Sequence, residues 1–95
     1  DWGATRLADP RTSAAERRAL IEWLGAGLAK RPRPEIYELA KRGLVDPSPP
    51  VRGAAARALA PALRERDLLE FVRLLYDAEA SVRLAGALAL RTAFA

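Results

Sequence analysis

The sequence predicts an all-α protein in which about five helices stack as repeated pairs, forming an α-solenoid. Three observations support this prediction: capping motifs precede apolar residues at helical spacing, prolines separate these segments, and one motif recurs 31 positions along the chain. Ser13-Ala-Ala-Glu16 has the form of a capping box, in which a serine hydroxyl and a glutamate carboxylate each accept from a backbone N–H at the helix start. Apolar residues follow at helical spacing, so we predict a first helix over about 13–29.

Prolines and a glycine set the limits of the next two predicted helices. The segment KRPRP ends the first helix, because proline removes a hydrogen-bond donor and moves the preceding residue out of the helical conformation. Pro34 can begin a second helix, and we expect Gly43 to end it in the left-handed conformation. Ser48 is a suitable cap for a third helix over about 49–62, which Pro61 should end or bend.

Two more helices are predicted in the C-terminal third of the chain. Asp67-Leu-Leu-Glu70 has the form of a second capping box, and apolar residues follow it at helical spacing. The segment DAEAS then takes the place that DPSPP holds before the third helix. The last helix is predicted over about 80–94.

The repeated motif reads PPVRGAAARAL at 49–59 and ASVRLAGALAL at 80–90. A repeat period of 31 residues with two helices per unit is typical of an α-solenoid. Small side chains let a neighbouring helix approach closely, and units stack because a single unit cannot cover its own apolar face. The aligned pairs are Asp46 and Asp77, Val51 and Val82, Arg52 and Arg83, Ala54 and Ala85, Ala56 and Ala87, Ala58 and Ala89, and Leu59 and Leu90.

Composition excludes most kinds of catalytic site. The chain has 95 residues, a net charge of +4, and neither cysteine nor histidine. This length fits one domain with a modest core. Disulfides, thiolate or imidazole metal sites and nucleophile pairs that need Cys or His are excluded, and the glutamates are spread along the predicted helices. We therefore expect no enzymatic activity, no cofactor and no metal.

Charge and hydropathy bear on partners and location. No apolar run is long enough to span a bilayer, so no membrane insertion is expected. The positive charge is mild and interspersed with acidic residues, which permits nucleic-acid binding without requiring it. A cytoplasmic location is expected. The sequence contains no methionine, so we expect it to be a segment of a larger protein.

The repeated motif resembles that of HEAT repeats, particularly the short bacterial variety. The resemblance rests on Asp46-Pro47 with Val51-Arg52, and on Asp77 with Val82-Arg83, each pair followed by a run of small residues. It implies a right-handed superhelix within a single domain spanning 1–95. The implied units are a diverged N-terminal unit at 1–34 and two repeats at 35–64 and 65–95.

The resemblance also implies a structural ladder of charged residues. Asp46 and Asp77 would tie down the turns, while Arg52 and Arg83 would reach the neighbouring turn through charge-assisted hydrogen bonds. A contact between Arg83 and Asp46 is predicted. Loss of that contact in Arg83→Ala would cost about 1.5–3 kcal/mol of stability.

Four residues are predicted to face a partner: Arg57, Leu84, Leu88 and Arg91. In HEAT-like arrays the second helices line the concave side, and the two leucines stand where an exposed helix face usually carries polar residues. They either contact a partner protein or pack on a following repeat or another copy of the chain. The absence of a polar capping helix before Ala95 favours the second alternative.

Two functions are consistent with these residues. The first is a non-catalytic protein-interaction or scaffold module, which binds a partner polypeptide or self-associates through its C-terminal helix. The second is a nucleic-acid-binding HEAT-like domain whose arginines contact phosphate, as in the alkylpurine DNA glycosylases. A similar repeat occurs in HEAT-like phycobilin lyase subunits, but no other feature supports that function here.

The sequence surroundings of three aromatic residues predict where they lie. Trp23 and Tyr37 lie at helical spacing with aliphatic residues and are predicted to be in the core or partly buried. Trp2 lies outside any predicted helix, where it either plugs the underside of the first helix or anchors a partner. A basic segment at 30–33 complements a helix C-terminus or contacts phosphate.

Overall fold

A computed structural model describes residues 2–94, and within that range the chain forms six α-helices and no strand. The helices are α1 (Trp2–Ala8), α2 (Ala14–Lys30), α3 (Pro34–Lys41), α4 (Pro49–Leu59), α5 (Leu68–Leu74) and α6 (Ala80–Phe94). Short 3-10 helices span Arg42–Val45, Ala60–Ala62 and Glu65–Asp67. The all-α prediction is confirmed, and α2 to α6 lie close to the five predicted segments.

The start of α2 follows the predicted capping box. The backbone N–H of Glu16 donates to the Ser13 hydroxyl at 3.1 Å, and the Ser13 N–H donates to the Glu16 carboxylate at 3.2 Å. Two of the N–H groups that lack a partner at a helix start are thereby satisfied. Pro61 also acts as predicted, because α4 ends at Leu59 and continues only as a short 3-10 helix.

Helix α4 lies between α2 and α6, and these three helices form the centre of the fold. Each is preceded in sequence by a shorter helix that packs against it. The chain measures 35 × 31 × 18 Å, and a thickness of 18 Å matches two layers of helices at ordinary packing distances. The most deeply buried side chains of the core are Ile21, Leu28, Tyr37, Val51, Leu59, Phe71 and Val82.

Small residues bring these helices close together. A Cβ added at Gly25 of α2 would lie 2.7 Å from the Ala58 Cβ and 2.9 Å from its Cα, so α4 touches the backbone of α2 there. A Cβ at Gly86 of α6 would lie 2.7 Å from the Leu74 Cβ of α5. The alanines of α4 are buried on most of its circumference, which lets helices pack against both sides of α4.

Several local predictions are wrong. Gly43 has no positive φ, and it lies in a 3-10 helix where an added Cβ would meet Ala55 at 2.8 Å. Ser48 stands at the N-cap without a side-chain capping bond, because Pro49 and Pro50 have no N–H to donate and the Val51 N–H donates to the Ser48 carbonyl at 3.1 Å. Asp67 forms no capping bond either, since its carboxylate is engaged by other side chains described below.

The structure buries one of the three aromatic residues discussed above and exposes the other two. Tyr37 is buried as predicted, whereas Trp23 is 67% exposed because it lies away from the buried side of α2, formed by Leu20, Ile21, Leu24 and Leu28. Trp2 belongs to α1, which was not predicted, and it is largely exposed. It therefore does not act as a plug under α2.

Candidate functional site

An arginine near the start of α2 connects the first interhelix turn to the second. Arg17 donates from Nε and Nη2 to the two carboxylate oxygens of Asp46, at 2.8 and 3.1 Å. Its Nη1 donates to the backbone carbonyl of Thr12 at 2.7 Å. Both charged side chains are largely buried, and the two parallel hydrogen bonds fix the position of the turn before α4.

Arg52 near the start of α4 repeats this arrangement between the second turn and the third. Its Nε and Nη2 donate to Asp77 at 2.8 and 3.0 Å, and its Nη1 donates to the carbonyl of Asp46 at 2.8 Å. The Asp46 carboxylate also accepts from the backbone N–H of Ser48, and the Asp77 carboxylate accepts from that of Glu79, each within its own turn. Arg17 with Asp46, and Arg52 with Asp77, are called rungs below.

Arg83 near the start of α6 completes only part of the pattern. Its Nη1 donates to the carbonyl of Asp77 at 2.7 Å, as Arg52 does to Asp46. Its Nε and Nη2 have no hydrogen-bond partner among residues 2–94. The predicted contact between Arg83 and Asp46 is wrong, because Asp46 is already occupied by Arg17.

The rungs alter the acidity of their carboxyl groups. Burial raises the pKa of Asp46, but the hydrogen bonds from Arg17 and from the Ser48 N–H outweigh it, so the pKa lies below its usual range. The hydrogen bonds from Arg52 hold the pKa of Asp77 below its usual range. Both carboxylates therefore remain ionised near neutral pH and keep their arginines paired.

A second polar cluster connects α3 to the segment before α5. The Tyr37 hydroxyl donates to Asp67 at 2.6 Å, and the Lys41 ammonium donates to the same carboxylate at 2.9 Å. The Arg64 guanidinium lies 4.2 Å from the centre of the Tyr37 ring. Burial and the bond to Asp67 raise the pKa of Tyr37 to about 12. This cluster is structural, since its hydrogen-bonding groups are satisfied by one another.

The remaining candidate for function is one exposed face of α6. Leu84, Ala87, Leu88 and Arg91 follow one another at i, i+3, i+4 and i+7, so they form a continuous stripe on one side of the helix. All four are exposed, Leu84 at 60% and Leu88 at 39%. These four residues are called the outer face of α6. Phe94, also exposed, extends it by one turn.

The corresponding stripe on α4 is mostly buried. Gly53, Ala56 and Ala60, which stand 31 positions before Leu84, Ala87 and Arg91, are buried, whereas Arg57, which stands 31 positions before Leu88, is exposed. A Cβ added at Gly53 would lie 3.9 Å from the Ala85 Cβ of α6, so α6 contributes to this cover. The outer face of α6 thus corresponds to a surface of α4 that is covered except at Arg57.

Helix α5 also exposes two apolar residues, at positions that correspond to charged residues of α3. Leu69 and Val72 are exposed and stand 31 positions after Glu38 and Lys41. Glu38 and Lys41 form ion pairs with Arg66 and Asp67 of the following unit. At these two positions α5 therefore carries apolar residues, whereas α3 carries charged residues that pair with the segment before α5.

The predicted partner-facing residues do not all belong to one face. Leu84, Leu88 and Arg91 lie together on the outer face of α6. Arg57 is exposed on α4, where its Nη1 would lie 3.3 Å from a Cβ added at Gly53. It lines a shallow depression of about 240 Å³ together with Arg18 and Ser81.

Three features of this region were not predicted: the role of Arg17, the cluster around Asp67, and the exposure of Leu69 and Val72. The α5 residues could have been found by the same shift of 31 positions, which sets Leu69 and Val72 against charged residues. Within residues 2–94, no three acidic side chains converge to hold a metal ion. No helix in that range has the length and apolar character needed to cross a membrane.

Comparisons with family models, with curated proteins and with solved structures find no match for this chain.

Proposed function

We propose that this chain is a HEAT-like α-solenoid module, without catalytic activity, that binds a partner polypeptide through the outer face of α6. The observation that carries the proposal is the contrast between two equivalent helix surfaces. On the stripe of α4 and of the 3-10 turn that follows it, Gly53, Ala56 and Ala60 are buried, and Arg57, the counterpart of Leu88, is exposed. The stripe at Leu84 and Leu88 of α6 exposes two leucines to solvent. A contiguous exposed apolar patch on a small domain is typical of an interaction site.

The stacking of α2, α4 and α6 supports the solenoid part of the proposal. Successive long helices pack against one another, and the two rungs connect successive turns in the same manner. A structure that grows by such units presents one uncovered helix surface at each end. The apolar residues of the outer face make that surface suited to a protein partner.

Nucleic-acid binding is the alternative, and one observation favours it. Arg18 and Arg57 line the same depression and could contact a phosphate backbone. Arg18, however, forms an ion pair with Glu22 at 3.2 Å, which neutralises part of the charge. Duplex DNA binding that weakens steeply with salt and with Arg57→Ala would support this alternative over the first.

A photocrosslinking experiment tests the protein-interaction proposal. A photoreactive phenylalanine analogue replaces Leu84 in the natural full-length polypeptide, expressed in its own cells, and a matched protein carries the analogue at Arg11. The Arg11 side chain is 90% exposed and lies in the turn between α1 and α2, away from α6. We expect a discrete protein adduct from position 84, and none from position 11.

The same experiment separates the alternatives. Adding Leu88→Asp should remove the adduct at position 84, because a charge in the stripe opposes burial of the apolar patch. Adducts that contain nucleic acid would favour the second function. Equal labelling at positions 84 and 11 would contradict a binding role for the outer face.

A further inference from the structure

We infer that a groove along the exposed side of α2 binds an extended peptide with apolar residues at one end and acidic residues at the other. The groove consists of two depressions of about 480 Å³ each, and Trp23 borders both. These two depressions are called the tryptophan groove below. The groove lies on α2 and the proposed function concerns α6, so the inference goes beyond that function and does not depend on it.

The first depression, next to α1, is apolar and carries no net charge. Trp2 of α1 and Trp23 of α2 line it together with Ala19, and the two indoles are 66% and 67% exposed. The charged side chains at its edge, Arg6 and Glu16, form an ion pair with each other. Exposed indoles offer a large apolar area at a low entropic cost, which suits them to anchor a binding partner.

The second depression, towards the C-terminal end of α2, has cations at its edge. Gly27, Lys30, Arg31 and Arg33 are among the residues that line it. Arg33 forms an ion pair with Glu35 at 3.2 Å. Lys30 and Arg31 are exposed and form no ion pair within residues 2–94. The groove is therefore apolar at one end and positively charged at the other, which is complementary to a ligand that carries carboxylates at one end only.

Gly27 is the second observation that points to a ligand. A glycine inside a helix costs about 1 kcal/mol relative to alanine. Packing explains Gly25 of the same helix, whose added Cβ would lie 2.7 Å from that of Ala58. Nothing lies within 4 Å of a Cβ added at Gly27, and its φ is not positive, so no feature of residues 2–94 requires this glycine. Its missing side chain lets the backbone of a bound peptide approach α2 closely.

The length of the groove sets the length of the peptide. Ala19 and Lys30 stand 11 positions apart on α2, which corresponds to about 16 Å along the helix axis. An extended chain covers that distance with about five residues. The apolar end of the peptide then lies beside Trp2 and Trp23, and its acidic end reaches Lys30 and Arg31.

Single-stranded nucleic acid fits this distribution of charge less well. Such strands bind through stacked bases and through cations that follow the whole backbone. The indoles of Trp2 and Trp23 suit stacking, but the unpaired cations lie at one end of the groove, since Arg6 is paired with Glu16. A peptide whose charges are confined to one end matches the groove along its full length.

A peptide selection tests the inference. A phage library of random eight-residue peptides is selected for binding to this chain, and the enriched peptides are synthesised. The sequence contains two tryptophans, Trp2 and Trp23, and both line the groove. Tryptophan fluorescence with acrylamide as a neutral quencher therefore reports directly on the site. We expect enriched peptides with apolar residues at one end and Asp or Glu at the other, and binding should shield both tryptophans from acrylamide.

Charge reversal tests the cationic end of the groove. Lys30→Glu should weaken binding of the enriched peptides at least about fivefold, because an attraction is replaced by a repulsion. Arg73→Glu is the matched control, since Arg73 is also exposed, lies in the last turn of α5 and forms no ion pair within residues 2–94. It should change the affinity less than about twofold.

Added bulk tests the space over Gly27. Gly27→Leu should abolish peptide binding, because the new side chain occupies the second depression, while the helix is favoured over glycine. Ala29→Leu is the matched control. Ala29 is exposed on α2 but borders a different depression, next to α4, so peptide binding should persist. Thermal denaturation of both variants checks that they remain folded.

Several outcomes would overturn the inference. These are a selection that enriches no peptide, enriched peptides without acidic residues, binding that leaves both tryptophans open to acrylamide, and equal losses for Lys30→Glu and Arg73→Glu. Tighter binding of a single-stranded DNA oligonucleotide than of any enriched peptide would assign the groove to nucleic acid. Self-association that Lys30→Glu abolishes would assign it to a second copy. Leu88→Asp on the outer face of α6 should leave peptide binding unchanged, so the groove and the proposed function can fail separately.

Discussion

Helices α4 and α6 carry nearly the same motif but have different surroundings. α4 is covered by α2 on one side and by α6 on the other, so its small residues are buried around most of the helix. α6 is covered by α4 and α5, and its opposite side exposes Leu84 and Leu88. The comparison teaches that one sequence pattern lies in the core or stays exposed according to the helices that pack against it.

The arginines of these two helices differ in the same way. Arg52 makes three hydrogen bonds, of which two reach the carboxylate of Asp77, and it is largely buried. Arg83 makes one hydrogen bond to a carbonyl and is exposed. Equivalent residues should therefore contribute unequally to stability, and the following variants test that difference from the largest effect to the smallest.

Arg52→Ala should lower the free energy of unfolding by about 2–4 kcal/mol, because it removes both hydrogen bonds to Asp77 and leaves a largely buried carboxylate without its counterion. Urea denaturation measures the change. Arg57→Ala, an exposed arginine of the same helix, is the control and should change the free energy by about 0.5 kcal/mol or less. Equal effects of the two variants would contradict the structural role of the rung.

Gly25→Ala should lower the free energy of unfolding by about 1–2 kcal/mol. The new methyl group would lie 2.7 Å from the Ala58 Cβ and 2.9 Å from its Cα, so α2 and α4 must separate. Gly27→Ala in the same helix is the control. No atom lies within 4 Å of its added Cβ, and alanine should raise stability by up to about 1 kcal/mol through helix propensity. A stabilising Gly25→Ala would refute the close approach of these helices.

Stability should also fall in acid because of the rungs. The pKa values of Asp46 and Asp77 are lower in the folded chain than the ordinary value of about 3.9, so the unfolded chain binds protons first as the pH falls. Their contribution is complete above that ordinary value and is lost as the pH falls through the folded pKa values. Denaturation at pH 7, 5, 4 and 3 measures this loss. Asp77→Asn should flatten the dependence, and an unchanged pH profile in that variant would contradict the assignment.

Capping and helical spacing were sufficient to predict α2 to α6 but not α1. The latter has only seven residues, includes Gly3, and ends just before Asp9-Pro10, so it offers too few turns for an apolar period to be recognised. Its position depends instead on contacts with α2, among them an ion pair between Arg6 and Glu16. Tertiary contacts of this kind have no local signature in the sequence.

Four ladder residues, Asp46, Arg52, Asp77 and Arg83, were recognised, but Arg17 and its pairing with Asp46 were not. Asp46 and its arginine are 29 positions apart, whereas Asp77 and Arg52 are 25 apart, so a constant shift of 31 does not reveal Arg17. α2 has 17 residues and α4 has 11, and a shorter connection after α2 offsets part of that difference. Because Arg17 occupies Asp46, Arg83 does not pair with that aspartate, and this outcome depends on the whole three-dimensional arrangement.

Arg83→Ala should lower the free energy of unfolding of the native chain by about 1 kcal/mol or less, below the 1.5–3 kcal/mol expected from the sequence. The variant loses a single hydrogen bond to the carbonyl of Asp77 at an exposed position. Thermal and urea denaturation of Arg83→Ala and Arg52→Ala, measured side by side, check the ranking. A loss for Arg83→Ala as large as that for Arg52→Ala would mean that the two arginines are equally engaged.

Leu84→Gln should change the free energy of unfolding by about 0.5 kcal/mol or less, because Leu84 is 60% exposed and packs little within residues 2–94. Leu59→Ala is the contrasting variant. Leu59 is fully buried, and its truncation should cost about 2–5 kcal/mol. A loss above about 1 kcal/mol for Leu84→Gln would place this leucine in the core. A neutral result leaves Leu84 available to a partner, because its apolar surface contributes nothing to the isolated fold and gains free energy only when another helix covers it.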